Sequence, residues 1–166
     1  MKVGENVVLP GCGVGAIEAR VNMEVEGQDV DLMRIALNGS GDTVWIPVNR
    51  LADQGVRPVM DPSQIDRVME TLSSQSAPQQ RKQWNQRQRR YAQLLMSNQP
   101  VMLAQLVGEL GAVDADKALS FTEKRMYRQA WDLLLGELAA SAGVSLEDMT
   151  ARVVEQAEIR APQAAA

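Results

Sequence analysis

Apolar and polar positions alternate through the first fifty residues, and the period then changes. Residues 7–9, 15–21, 30–37 and 43–48 form short apolar-rich runs, several of them alternating, which places every second side chain on one face of a strand. Turn-forming segments separate them: Pro10 with Gly11 and Gly13, Glu26 with Gly27, and Asn38 with Gly39 and Gly41. This spacing predicts a small antiparallel barrel. Pro47 lies inside the fourth run and has no N–H to give a ladder, so that run is expected at a sheet edge. With Trp45 and Met33 close by, the edge is a candidate docking strip.

From Asp61 onward the apolar spacing is helical. Asp61 and Pro62 supply an N-cap and a first-turn proline ahead of Ile65, Val68, Met69 and Leu72. Residues 73–78 break the pattern as a loop. Further helices are predicted near 80–96, 99–110 and 121–142, the last opened by the capping-box pair Ser120 and Glu123, and a final amphipathic helix from Ser145. The reading is therefore α+β: a β module over 1–58, a compact all-α domain over 59–160 and a disordered tail over 161–166.

Candidate chemistry narrows this picture mostly by exclusion. The chain has one cysteine, Cys12, and no histidine, so an internal disulfide, a cysteine-built metal site and the usual general base all drop out. No cofactor or metal is expected, and the protein is not expected to be an enzyme. The carboxylate pairs Glu24/Glu26 and Asp29/Asp31 sit at the spacing of solvated hairpin residues. The glycines around Cys12 resemble a phosphate loop only superficially, since no Gly-Lys-Ser/Thr and no helix follow; a tight β-turn is the better reading. No apolar run approaches membrane-spanning length and the N-terminus lacks a hydrophobic signal core, so a cytoplasmic location is expected.

The net charge of −4 conceals its distribution. Residues 1–70 carry 6 basic and 11 acidic side chains, residues 71–108 carry 5 and none, and residues 109–166 carry 6 and 10. The basic island is the stretch from Arg81 to Tyr91, with Arg81, Lys82, Arg87, Arg89 and Arg90 around Trp84. On a helix, Trp84, Tyr91 and Leu95 share a face, which would make the indole a core anchor with a solvated basic face opposite. Yet its neighbours Gln79, Gln80, Gln83, Asn85, Gln86 and Gln88 are polar, which favours exposure. An exposed indole among arginines suits nucleic acid, where guanidinium groups neutralise phosphates and the ring enters an unstacked base step.

Four segments in order carry a resemblance: the run from Lys2 to Gly15, the run from Ile46 to Asn49, the motif from Trp84 to Arg87, and the run from Leu119 to Met126. Together they resemble the CarD/CdnL family of bacterial RNA polymerase-binding transcription regulators over about residues 2–140. The resemblance implies a Tudor-like or SH3-like N-terminal module that docks on the polymerase β subunit, and a helical domain that faces promoter DNA. It implies polymerase contacts around Met33, Arg34, Trp45, Ile46 and Pro47. It also implies a wedge by Trp84 at the upstream edge of the transcription bubble, with Arg87, Arg89, Arg90, Lys124 and Arg125 holding phosphates. The chain departs from the family at Leu9, where tyrosine is common, and at Gln86 and Arg87, in place of a paired arginine. The expectation is a monomer with no membrane partner that stabilises the open promoter complex. The competing expectation is a protein-interaction adaptor with no direct DNA contact and Trp84 in its core.

Overall fold

The structure, a computed structural model, describes residues 1–78 and 84–163. The chain divides into two compact units, Met1–Val59 and Met60–Ala166. In the first, the alternating runs become β1 (Asn6–Leu9), β2 (Gly13–Val25), β3 (Gln28–Leu37) and β4 (Thr43–Pro47), joined by a short β5 (Arg57–Pro58). The strands make one antiparallel sheet in the order β4-β3-β2-β1-β5. Among the described residues β4 and β5 do not pair, so the expected small β module is present as an open sheet instead of a closed barrel. The edge position of β4 agrees with the restriction Pro47 imposes.

The alternation of the strands places Val7, Leu9, Ile17, Met33, Ile35 and Ile46 in one core, covered from outside the long strands by Leu51 and Val56. The β2–β3 hairpin runs further than its apolar pattern, because its outer half is exposed and polar. It closes on Glu26 and Gly27, both at positive φ (52° and 78°), the backbone signature of a two-residue hairpin turn with the right twist. Glu18 bulges out of register between Ile17 and Ala19. Gly15, near Cys12, serves the sheet: a Cβ there would lie 2.6 Å from Ile35 Cγ2, so glycine permits the close approach of β2 and β3.

The second unit opens with a 3-10 turn, Pro62–Gln64, capped by Asp61, whose Oδ1 accepts the Ser63 N–H at 2.9 Å. The hydrogen bonds from Ser63 hold the Asp61 carboxyl below its usual range. Then come α1 (Ile65–Ser74), α2 (Trp84–Met96), α3 (Pro100–Asp116), α4 (Phe121–Ala142) and α5 (Leu146–Ala157). The α4 capping box forms as predicted, and that helix ends on the left-handed Gly143. The sequence expectation stopped α3 near 110; it continues to Asp116 through Gly111, since packing overrides the weak propensity of one glycine. One core unites the helices through Val68, Leu72, Tyr91, Leu106, Leu134 and Met149. Buried Glu137 accepts the Met60 N–H at 2.9 Å and Ser141 Oγ donates to the Met60 carbonyl at 2.7 Å, so the first residue of the unit is tied to α4.

Two backbones approach closely at Gly108, where a Cβ would lie 2.7 Å from the Leu72 carbonyl oxygen. Because that neighbour is backbone, it cannot swing aside. Gly108→Ala is expected to destabilise the protein by about 1–3 kcal/mol in urea unfolding, despite the better helix propensity of alanine. Equal or raised stability would show that α1 and α3 have room to separate. At the other end Tyr127 donates to the Arg160 carbonyl at 2.6 Å and Ala161 packs on the core, so order extends past the end of α5. The remainder of the tail, 164–166, lies outside the described residues. No helix among the described residues is long and apolar enough to cross a membrane.

Candidate functional site

Trp84 is the first residue of α2 and stands 47% exposed, whereas Tyr91, two turns on, is fully buried and Leu95 packs partly buried against the core. The three residues share a helical face as their spacing requires, but the bundle covers only its C-terminal part. Trp84 is therefore not a core anchor. Its indole lies under the Arg87 guanidinium, 5.2 Å from Cζ to the ring centroid, a cation–π contact.

The basic island is less free than its charge implies. Arg87 donates through Nη2 to Glu123 Oε1 at 3.0 Å, and that carboxylate is itself buried, its side chain 5% exposed. The other oxygen, Oε2, accepts the Ser120 N–H at 3.1 Å, so one carboxylate both caps α4 and anchors α2. Arg90 pairs with the buried Glu109 of α3, which also accepts the Tyr91 hydroxyl at 3.3 Å. Burial, then the Glu109 charge, pushes the Tyr91 hydroxyl well above its ordinary range. Arg87 and Arg90, both expected at phosphates, thus carry ion pairs within the bundle, with the Arg90 side chain still 43% exposed. Both answer buried carboxylates, which would otherwise carry an uncompensated charge in low dielectric.

The other predicted cations differ among themselves. Arg89 is exposed and makes no ion pair with a described residue, and Lys124 and Arg125 are exposed on the first turns of α4. Arg81 and Lys82 lie outside the described residues. The sequence reading missed Phe121, which is 77% exposed at the first position of α4, and Arg128 two turns along the same face. Their signal is the spacing i, i+3, i+4, i+7 with Lys124 and Arg125, which in sequence is the same as that of any solvated helix face.

In the N-terminal unit the predicted partner contacts separate by strand face. Met33 opposes Ile46 and Arg34 opposes Trp45 across the β3–β4 ladder. The first pair points inward and is buried, so Met33 and Ile46 back the strip from the core side, as the two-residue period requires. The second pair points out. Trp45 is 45% exposed, with the Arg34 guanidinium 5.8 Å from its ring centroid and Arg34 Nε 3.1 Å from Glu18 Oε2 on the bulge. Pro47, half-buried, ends the edge strand. On the hairpin, Asp31 accepts from Asn22 and Arg20, which hold its carboxyl below the usual range, and no described Asp, Glu or Cys side chains cluster as a metal site.

Comparison with known proteins places both units. Residues 1–60 match the CarD-like/TRCF RID domain, and residues 67–154 match the CarD C-terminal domain. The putative transcription factor YdeB of Bacillus subtilis (strain 168) is 27% identical over 148 residues, covering 87% of this chain and 94% of that protein. The solution NMR structure of the 72-residue N-terminal domain of Myxococcus xanthus CarD is 31% identical, with a TM-score of 0.31, over 35% of this chain and 77% of that one. With an exposed edge strand in the first unit, an exposed indole in the second and a family match to each, the chain belongs to the CarD family of transcription regulators.

Proposed function

We propose that this protein binds the β subunit of RNA polymerase through β4 and stabilises the open promoter complex through Trp84. The observation that carries the reading is the half-exposed indole at the start of α2, held in place by an arginine that is itself anchored on a buried carboxylate. In an adaptor with no DNA contact, Trp84 would be expected in the core with Tyr91, whereas it is half exposed. Arg87 acts by orienting the ring. Arg89, Lys124 and Arg125 supply the exposed charge, and three phosphate contacts of this kind give a salt slope of roughly −2.7 on duplex DNA. Such binding is weak alone, so polymerase must deliver DNA that is already opening.

Stabilisation then works by differential affinity. Opening a base step costs a few kcal/mol, and a wedge that contacts only the opened form moves the equilibrium by its binding difference, tenfold for about 1.4 kcal/mol. The edge position of β4 suits strand addition, with backbone groups giving affinity and Trp45 and Arg34 giving specificity. Capture of the full chain by purified polymerase β lobe tests the docking. Trp45→Ala should weaken capture by about tenfold, in line with loss of an aromatic interface anchor. No capture of the unaltered chain would overturn the reading.

A further inference from the structure

The N-terminal face of α4 carries two exposed residues that the proposed wedge does not use, Phe121 and Arg128, beside Lys124 and Arg125, which it does. Phe121, Lys124, Arg125 and Arg128 recur at helical spacing and lie on one face, and all four are exposed. Unlike Arg87 and Arg90, none of these three cations makes an ion pair with a described residue. They border a cleft of about 480 Å³, within the range of small-ligand pockets, whose lining includes Leu119, Phe121 and, near the C-terminus, Pro162 and Gln163. The nearby carboxylates only partly offset the stripe: Glu123 is engaged by Arg87 and Ser120, and Asp132, one turn beyond Arg128, feels that guanidinium's charge without forming an ion pair with it. Asp114 lines the cleft itself, which keeps phosphates off that wall and leaves the space to a base.

We infer that this face is a second nucleic-acid contact, specific for an unpaired strand, in which Phe121 stacks on a base and Lys124, Arg125 and Arg128 hold its phosphates. An aromatic ring so exposed beside a row of exposed cations is the pairing that single-strand binders use, because every base offers a π-face once it leaves the stack. A duplex offers phosphates to the cations but no face to the ring. The Arg87–Glu123 pair brings the start of α2 beside the start of α4, so Trp84 and Phe121 stand at the same end of the helical unit. A strand separated at Trp84 can thus pass onto Phe121. The inference rests on the proposed function only for the class of its occupant.

The test is fluorescence anisotropy of the full chain, without polymerase, on a labelled single-stranded oligothymidylate and on a duplex of equal length. Tighter binding of the single strand is expected, and Phe121→Ala should weaken it about fivefold or more, the loss of one stacked base. Arg125→Gln with Arg128→Gln should lower the salt slope by about 0.7 for each charge removed. All three side chains are exposed, so the variants keep the fold. Unchanged affinity of Phe121→Ala, equal affinity for duplex, or equal competition by polyglutamate would each overturn the inference. The wedge is read out separately, by Trp84→Ala in open complexes with polymerase.

Discussion

Replacing Trp84 with alanine is expected to shorten the lifetime of open promoter complexes by about tenfold or more, while the free protein loses no more than about 1 kcal/mol of stability. The first figure follows from the contact: a ring that fills an opened step recovers part of the few kcal/mol spent on unstacking, and each 1.4 kcal/mol is about a factor of ten. The second follows from exposure. The ring is only half covered, and its cation–π contact with Arg87 is worth about 0.5–1 kcal/mol at such a site. A tryptophan packed in the core would instead cost about 3–5 kcal/mol. Promoter lifetime assays beside urea unfolding separate the two. A large stability loss with open complexes unaffected would sink the wedge and revive the adaptor reading.

The second large effect is expected at Glu123, which touches no DNA. Its carboxylate caps α4 and anchors Arg87, so Glu123→Ala removes a cap worth about 1 kcal/mol and leaves a partly buried guanidinium unpaired. Breaking a buried ion pair from one side costs about 3–5 kcal/mol, and a total loss of about 3 kcal/mol or more is expected in urea unfolding. Glu123→Gln separates the parts, because glutamine still serves in a capping box but carries no charge. A double-mutant cycle with Arg87→Ala should give a coupling above about 1 kcal/mol; additivity within about 0.5 kcal/mol would mean the pair is not formed in solution. Loss of the anchor also frees Arg87 from its place over the indole, so the stable fraction of Glu123→Gln should show shortened open complexes. That readout is what a purely structural role for Glu123 would leave unmoved.

Local chemistry was legible where one short segment decides it. Pro47 lacks a ladder donor, and its strand is at the edge. Ser120 and Glu123 satisfy each other across one turn, and α4 spans the predicted 121–142. The apolar period of 65–72 marked the face of α1 that lies in the core. In each case the determining contacts lie within a few residues, so sequence spacing is already geometry.

The fate of the basic island was not legible in this way. Five positive charges with no negative one nearby read as a phosphate surface, yet the partners of Arg87 and Arg90 are carboxylates 36 and 19 residues away on other helices. Likewise the spacing put Trp84 and Tyr91 on one face but could not say where the bundle stops covering it, and alternation did not reveal that β4 and β5 leave the sheet open. The elements, their caps and the residues each face presents follow from the order of residues alone, because these depend on dihedral preference and period. Which cations pair with carboxylates of the bundle and which aromatics remain outside emerge only on folding, because burial and charge pairing are set by segments that meet when the chain has folded.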